Sequence, residues 1–197
     1  YDIANRLIEV DGVPHTWDAK GNLLDDGLSQ YTYDHANRLS SVVQGPDVYT
    51  FAYNGLGDRL QQAGNSVPAD YSVDINRGLT QVLADGTNAY LYGAARIGEE
   101  QPGGWQYHLV DALGSVRHLV NPTAEVVRVK SYEPFGNLRN GIGLSSTIFD
   151  FAGEQVDASG LAYLRARYLD HSTGRFLSQD PVQGKIRRYR RRPMCMP

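Results

Sequence analysis

The sequence predicts an all-β protein built from short hairpins, and three observations support this fold class. Among 197 residues, 13 are tyrosine, and the 21 glycines and nine prolines favour short half-buried strands joined by tight turns. Aromatic residues in several segments occur at every second position, which is the spacing of one face of a strand. A short unit also recurs along the first 60 residues, as expected for a repeat fold.

The repeat unit begins with an aromatic residue followed by Asp or Asn, and it ends with Leu. The clear copies are YDIANRL at 1–7 and YDHANRL at 33–39, and weaker copies are WDAKGNL at 17–23 and YNGLGDRL at 53–60. Each unit is interpreted as a strand that ends at the aromatic residue, a turn that tolerates left-handed backbone, and a second strand that begins at Leu.

The aromatic residues before the turns are expected to project to one face of the sheet. They are Tyr31, Tyr33, Tyr49, Phe51, Tyr53, Tyr90 and Tyr92. Aromatic residues repeated at strand spacing cover neighbouring strands. Packing is therefore the favoured interpretation, and a surface that stacks against sugars is the alternative.

From residue 105 a different pattern predicts a meander of three strands. The segments WQYHLV, VRHLVN and VVRVKSYEPFG are separated by the turn sequences DALGS and PTAE. If the first turn is centred on Leu113, His108 pairs across the ladder with His118. Two imidazoles are fewer than the three or four ligands of a usual zinc site. An ordinary cross-strand pair is therefore favoured over a metal site, and no cofactor is predicted.

Charge, cysteine content and missing motifs argue against several classes of protein. Residues 185–192 hold six of the 19 Lys and Arg, so the rest of the chain has 13 basic against 22 acidic residues, a net charge of −9. So acidic a body is a poor candidate for binding nucleic acid or an anionic membrane. The one cysteine, Cys195, excludes an internal disulfide. No apolar run approaches the roughly 18 residues of a membrane span, and no serine-hydrolase, P-loop or HExxH motif occurs.

Taken together, the motifs resemble the YD-repeat or Rhs (rearrangement hotspot) family. After the repeats come DALGSVRHLVN, SYEPFGNLR and FAGEQVDASGLAYLRARYLDHSTGRFLSQDP, in the order and with the spacings of that family and its Rhs-repeat-associated core. The chain looks like a fragment of a longer protein. It divides into YD-repeat hairpins at 1–100, the core at 101–184 and a basic tail at 185–197.

The resemblance implies a spiralling β-sheet, similar to the shell of the teneurins, that closes around a C-terminal toxin polypeptide. The core is expected to form a plug at the end of this shell. The implied partners are the toxin segment and the remaining shell, and the implied location is secreted or at the cell surface. An extracellular module that binds carbohydrate or another cell surface is the alternative function.

The resemblance also implies an aspartyl autoprotease in the core that releases the toxin. Its arginine corresponds to Arg167 and its first aspartate to Asp180 of DPVQG. Two adjacent carboxylates share a proton, so one acts as an acid while the other activates water, and a nearby guanidinium stabilises negative charge. In this chain a structural role for Arg167 and Asp180 is favoured, and Arg165 and Asp170 are expected to be salt-bridge partners.

The sequence departs from the family pattern after Asp180. DPVQG has two residues between Pro181 and Gly184 where the family motif has one, and residues 185–197 contain no acidic residue. The second aspartate of the dyad is therefore missing, and we expect that this chain does not cleave itself. The tail is interpreted as a frameshift or premature end, with a toxin remnant and a basic binding arm as alternatives. We expect it to be disordered.

Overall fold

The computed structural model describes residues 1–64 and 68–181, and it confirms the all-β prediction. All strand pairs are antiparallel and join neighbours in the sequence. The first hairpin is β1 (Glu9–Val10) and β2 (Val13–Pro14). A seven-stranded sheet follows, made of β3 (Thr16–Trp17), β4 (Leu23–Asp25), β5 (Ser29–Tyr33), β6 (Leu39–Gln44), β7 (Asp47–Tyr53), β8 (Arg59–Ala63) and β9 (Ala69–Asp70).

Two further sheets complete the described part of the chain. An eight-stranded sheet contains β10 (Ser72–Asp74), β11 (Gln81–Ala84), β12 (Ala89–Tyr92), β13 (Arg96–Gln101), β14 (Gly104–Val110), β15 (Val116–Val120), β16 (Val126–Tyr132) and β17 (Leu138–Ile142). A four-stranded sheet contains β18 (Gln155–Val156), β19 (Leu161–Tyr163), β20 (Tyr168–Asp170) and β21 (Arg175–Phe176). A 3-10 turn at Phe151–Gly153 precedes β18.

The seven- and eight-stranded sheets meet at the buried residue Tyr71, which separates β9 from β10. β9 pairs with β8, and β10 pairs with β11. The backbone N–H of Tyr71 continues the first ladder by donating to the carbonyl of Leu60 at 2.8 Å. One stretch of chain therefore serves both sheets, and the meander runs on from one to the other. Residues 100 and 101 both lie in β13, so the sheet also continues across the predicted domain boundary.

Residues 149–177, which we call the plug, pack against both large sheets. Leu161, Tyr163, Tyr168 and Leu177 of the plug join a buried cluster with residues of the seven-stranded sheet, namely Leu23, Tyr31, Leu39, Val42 and Phe51. Phe149 joins a second cluster with Tyr90, Val116 and Leu119 of the eight-stranded sheet. The predicted packing role of the strand aromatics is confirmed, because Tyr31, Phe51 and Tyr90 are buried.

One five-residue turn recurs nine times in the described residues. The N–H of its first residue donates to the carbonyl of the fifth, and the N–H of the fourth donates to the carbonyl of the first, at 2.8–3.1 Å. The turns span residues 2–6, 18–22, 34–38, 54–58, 111–115, 121–125, 133–137, 150–154 and 157–161. The repeat identified near the N-terminus is therefore one case of a turn that continues through the core.

The chemistry of the first and fourth residues explains why the turn recurs. The first residue is Asp or Asn in all copies except Glu133. In Asp18, for example, Oδ1 accepts the N–H groups of Lys20 and Asn22 at 2.8 Å, the hydrogen bonding that favours Asp and Asn in turns. The fourth residue always has a positive φ, from 58° at Asn5 to 99° at Gly136.

The fourth position provides a matched test of this turn. Gly57 has φ = 95°, and no atom of the described residues lies within 4 Å of an added Cβ, so Gly57→Ala is expected to change only the backbone energy. We expect it to lower the free energy of unfolding by about 1–2 kcal/mol, because a side chain disfavours left-handed backbone. Ala124 has φ = 63° in the equivalent position. In urea denaturation Ala124→Gly should show no such loss, and equal losses in both variants would contradict the assignment.

After four of the turns, the next residue is buried and lies opposite the residue that precedes the turn. Val126 and Leu138, which follow two other turns, are exposed. Tyr33 pairs with Leu39, and Tyr53 pairs with Arg59. The same offset of six joins Val110 to Val116 and Trp17 to Leu23, with a bulge in each hairpin. This sixth position is the one that supplies Leu23, Leu39 and Val116 to the two cores.

The arginines of the YD repeats connect one turn to the next. Arg38 forms a salt bridge with its own Asp34 at 2.6 Å, donates through Nη1 to the carbonyl of Asn54 at 3.0 Å, and lies 4.8 Å from the ring centroid of Tyr53. Arg6 makes the same contacts with Asp2, Asp18 and Trp17. An arginine at the fifth position of the turn therefore contacts both the aromatic ring and the turn backbone of the following repeat.

Candidate functional site

The structure brings together the two residues that the sequence predicts for the autoprotease. An Nη atom of Arg167 lies 2.9 Å from Oδ2 of Asp180, with 24% of the Arg167 and 49% of the Asp180 side chain exposed. The guanidinium also lies 3.7 Å from the ring centroid of Phe176. Stacking on an aromatic face restricts the planar guanidinium and directs its N–H groups toward the carboxylate.

A tight turn between β19 and β20 places Arg167 at this site. The N–H of Leu164 donates to the carbonyl of Arg167 at 2.9 Å, and Arg165 has φ = 57°. β20 then pairs with β21, which carries Phe176. Phe176 also lines a cavity of about 560 Å³, to which neither Arg167 nor Asp180 contributes. Its lining includes Arg6, Trp17, Phe176, Ser178 and Gln179.

The predicted pairing of Arg165 with Asp170 is wrong. Nη1 of Arg165 lies 2.7 Å from both carboxylate oxygens of Glu154. Asp170 instead accepts hydrogen bonds from Ser172 and Thr173 in the turn that follows β20. The sequence distance was misleading because Arg165 lies in the β19–β20 turn, whereas Asp170 ends the strand that follows.

A second arginine, absent from the sequence-based site, lies buried beneath Tyr168. Arg59 donates through Nη1 to Asp157 at 2.6 Å and to the Tyr168 hydroxyl at 3.1 Å, and through Nη2 to Gln155 at 3.1 Å. Only 1% of each side chain of the Arg59–Asp157 pair is exposed. Four aromatic rings surround the guanidinium, with centroids at 4.2–5.9 Å: Phe51, Tyr71, Tyr163 and Tyr168.

Arg59 and Asp157 form a buried ion pair at the centre of this cluster. Burial opposes the positive charge of Arg59, but the Asp157 carboxylate and the neighbouring tyrosines leave the pKa of the guanidinium well above its usual value. Burial also raises the pKa of the Tyr168 hydroxyl well above its usual value. The cluster joins β8 of the seven-stranded sheet to the plug, and through Tyr168 it borders the residue that pairs with Asp180.

One extra residue in the fourth repeat explains why the sequence missed Arg59. We predicted that the second strand begins at Leu60, but it begins at Arg59. The turn uses five residues, Asn54 to Asp58, so Arg59 takes the inward sixth position that Leu39 holds in the preceding repeat. In a strand a shift of one residue moves a side chain to the other face. YNGLGDRL has eight residues, whereas the other copies have seven. This extra residue is the sequence feature that could have indicated the inward position of Arg59.

The two turns of the plug use their first aspartate differently from the other turns. Asp157 bonds Arg59, as described above. Asp150 makes no side-chain cap in its own turn. Instead its Oδ1 lies 2.5 Å from Nζ of Lys130 and accepts a hydrogen bond from the Tyr132 hydroxyl at 2.8 Å. Each plug turn therefore docks on a different large sheet through an ion pair.

The predicted register of His108 and His118 is wrong. His108 pairs with Leu119, and His118 pairs with Leu109, because a bulge between Leu109 and Val110 shifts the ladder by one residue. His108 consequently faces inward, where it lies 3.3 Å from Glu99 and accepts a hydrogen bond from Arg96. His118 lies on the other face. The two imidazoles therefore do not share a face on which both could bind one ion.

Residues 1–64 and 68–181 contain neither a candidate metal site nor a helix that could span a membrane. Within those ranges, no cluster of three or more His, Cys, Asp and Glu side chains is arranged to bind a metal ion. None of the helical segments there has the length and hydrophobicity needed to cross a membrane. The predicted tail at 185–197 lies outside the described residues.

Comparison with known sequences identifies several relatives. The family model of the teneurin YD-shell matches residues 1–196. The tRNA(Glu)-specific nuclease WapA of Bacillus subtilis subsp. natto is 30% identical over 198 residues, and the match covers 93% of this chain and 8% of that protein. The double-stranded DNA deaminase toxin A of Burkholderia cenocepacia is 26% identical, with 92% and 16% covered. The chain thus spans a small part of these relatives.

Solved structures match the fold at low sequence identity. The crystal structure of TcdB2-TccC3 without its hypervariable C-terminal region superimposes with a TM-score of 0.68 at 18% identity, covering 84% of this chain and 9% of that one. The Photorhabdus luminescens Tc holotoxin pore gives 0.61 at 16% identity, with 84% and 9% covered. The family match extends over nearly the whole chain, and the nine turns give it a structural basis. The chain therefore belongs to the teneurin YD-shell family, and its fold is that of an Rhs shell.

Proposed function

We propose that this chain is the closing end of a toxin-carrying β-shell. The two large sheets form part of the wall, and the plug closes it from within. The observation that carries this proposal is the double anchoring of the plug by Arg59–Asp157 and Lys130–Asp150, one pair on each sheet. Each pair has a buried basic side chain, and breaking either pair leaves Arg59 or Lys130 buried without its counter-charge, so the two pairs specify one docking position.

The proposed cargo is a C-terminal toxin polypeptide, and the proposed location is secreted or at the cell surface. Support comes from the relatives, whose names describe tRNA nucleases and a DNA deaminase toxin. These activities differ while the shell segment remains similar, as expected if the shell is a carrier and the cargo varies. The other proposed partner is the remaining shell, which would pair with exposed strand edges.

Arg167 and Asp180 are proposed as one half of an aspartyl autoprotease. Asp180 would share a proton with a second aspartate downstream, and Arg167 would stabilise the carboxylate or the oxyanion formed at the cleaved peptide bond. The 2.9 Å contact and the stacking on Phe176 supply the required orientation. Residues 181–197 contain no acidic residue, so without a second carboxylate the pair would act only as a structural ion pair.

The first test is whether the purified chain shortens itself. We expect a single species of 21.8 kDa by intact-mass spectrometry after prolonged incubation, because a dyad with one carboxylate cannot both donate a proton and activate water. A shortened species whose formation stops in Asp180→Asn would contradict this expectation.

The second test begins with the source DNA beyond codon 184, read in all three frames. If one frame restores an Asp-Pro-x-Gly motif about twenty residues on, the protein expressed in that frame should cleave itself. Asp180→Asn should then abolish cleavage, whereas Asp170→Asn, a matched carboxylate in a neighbouring turn, should leave it intact. Cleavage that survives Asp180→Asn would disprove the assigned role.

The alternative of a carbohydrate-binding module is less well supported. Of the aromatic residues that would stack against sugars, Tyr31, Phe51 and Tyr90 have only 4–7% of their surface exposed. These three rings are packed in the buried clusters of the sheets. Reproducible binding on a glycan array would be needed to revive this alternative.

A further inference from the structure

The plug touches the eight-stranded sheet through two neighbouring phenylalanines. Phe149 packs edge-on against Tyr90, with centroids 4.9 Å apart, and beneath the guanidinium of Arg96 at 3.2 Å. Phe151 lies between Tyr132 and His171, with centroids 5.8 and 6.3 Å away. One partner in the second contact, His171, is a histidine whose buried Nε2 distinguishes this contact.

His171 follows β20 and packs against the turn at 133–137. Its carbonyl accepts a hydrogen bond from Nδ2 of Asn137 at 2.9 Å. Its Nε2 is buried and has no hydrogen-bond partner within residues 1–64 and 68–181, and a Cβ added to Gly136 would lie 3.0 Å from it. Only 6% of the residue is exposed. The imidazole therefore meets Phe151 on one side and Gly136 on the other, and its buried Nε2 faces no hydrogen-bond acceptor among the described residues.

We propose that His171 is a pH-sensitive latch that holds the plug on the turn at 133–137 when neutral and releases it when protonated. A proton on the buried Nε2 would need water or a carboxylate as its acceptor. On the Gly136 side the space is too narrow even for an added methyl group, so an acceptor could enter there only if the two surfaces separate. The contact with Phe151 and the Asn137 hydrogen bond would open together with it. This inference concerns plug docking alone and does not depend on the toxin cargo.

The charged groups around His171 do not remove this constraint. Asp170 and Asp150 are the carboxylates that act on its charge, but Asp170 is bound by Ser172 and Thr173, and Asp150 by Lys130 and Tyr132. Asp26 lines the adjoining cavity and is occupied by its own turn and Tyr31. Glu133, on the facing turn, is exposed.

The direction of the pH effect follows from burial. Burial lowers the pKa of His171, and the two aspartates only partly oppose this. A histidine that is neutral when folded stabilises the folded state above its unfolded pKa, near 6.5, and this stabilisation is lost as the pH falls through the folded pKa. If the folded imidazole stays neutral, the equilibrium for plug opening rises by about 25-fold between pH 7 and pH 5.

His108, which lies in β14 of the eight-stranded sheet, supplies a matched control for His171. It is as buried as His171 and also approaches a plug phenylalanine, with its ring 6.5 Å from that of Phe149. Its Nε2, however, lies 3.3 Å from the Glu99 carboxylate. Arg96 faces its other nitrogen. Among the described residues, His108 therefore has a carboxylate oxygen within ion-pair distance of its ring, whereas His171 forms no such ion pair.

The experiment is hydrogen exchange of the full 197-residue chain at pH 7 and pH 5, corrected for intrinsic rates. In the unsubstituted chain we expect protection of residues 133–137 and 149–156 to fall by up to about 25-fold at pH 5. His171→Phe should abolish the pH dependence, and His108→Gln should keep it. An unchanged protection at pH 5, or an equal fall in His171→Phe, would overturn the proposal.

A second measurement guards against variants that fail to fold. The imidazole signals of His171 in the unsubstituted chain can be followed by NMR as the pH is lowered. The proposal requires its pKa to lie below 6.5 and the opening of residues 133–137 to follow the same titration. A His171 that titrates at or above 6.5 while residues 133–137 stay protected would overturn it.

Discussion

Replacing Asp157 by Asn is expected to lower the free energy of unfolding by about 3–5 kcal/mol, because it leaves Arg59 charged and buried without a counter-ion. Asparagine keeps the shape of the side chain and the backbone hydrogen bonds of the turn at 157–161. The loss would therefore come from the ion pair, whose side chains are each 1% exposed. Urea denaturation followed by circular dichroism measures it.

Two further variants separate the pair from its surroundings. Arg59→Leu places at this position the leucine that other repeats have there, but it leaves Asp157 buried without its counter-charge. It should therefore also destabilise the protein strongly. The double variant Arg59→Leu, Asp157→Asn removes both charges and should recover much of the loss. As a control, Asp34→Asn breaks the Arg38 pair, whose side chains are 30% and 26% exposed. That change should cost only about 0–1 kcal/mol, and a double variant as unstable as the two single losses combined would contradict the account.

Above pH 10 the protein is expected to unfold cooperatively because its tyrosines cannot ionise in place. Burial raises the pKa of eight tyrosine hydroxyls: Tyr31, Tyr33, Tyr53, Tyr71, Tyr90, Tyr132, Tyr163 and Tyr168. A group with a raised folded pKa stabilises the protein fully below its unfolded pKa, and this stabilisation is lost as the pH rises through the folded pKa. Each such tyrosine contributes a slope of about 1.4 kcal/mol per pH unit above pH 10.

Tyrosinate absorbance and circular dichroism, recorded together from pH 8 to 13, test this expectation. At least eight of the 13 tyrosines should ionise only as the strand signal is lost. Burial raises the pKa of Tyr71 to about 12. Between pH 10 and 12, Tyr71→Phe should therefore reduce the slope of the free energy of unfolding against pH by about 1.4 kcal/mol per pH unit, the contribution of one tyrosine. Ionisation of all tyrosines near pH 10 with the strands intact would show that the hydroxyls are accessible.

The hairpins and the family were readable from the sequence because turn chemistry is local. Asp or Asn in the first position and Gly or Asn in the fourth satisfy one backbone geometry, and alternating aromatics mark the strands on either side. Arg167 and Asp180 were found through the family motif, and the structure places them in contact. Their catalytic role stays a prediction.

Contacts that depend on counting residues across a bulge were not readable. A bulge between Leu109 and Val110 displaced His108 from His118, and one extra turn residue brought Arg59 into the interior. Nor could the sequence show that Asp150 and Asp157 leave their own turns to bind Lys130 and Arg59, since both stand in ordinary turn motifs. These choices follow from the packing of the plug, which involves residues about 20 to 100 positions apart.

The fixed five-residue turn also has a consequence for how such a protein changes over generations. Because the turn returns the chain to the same ladder whichever residue leads into it, inserting one codon beside it exchanges the inward and outward side chains of the next strand while the backbone stays in place. Arg59 occupies an inward position next to an insertion of this kind, and Asp157 and Gln155 of the plug meet it. A single-codon insertion can thus create a new buried recognition point on an otherwise uniform wall, without any change in architecture.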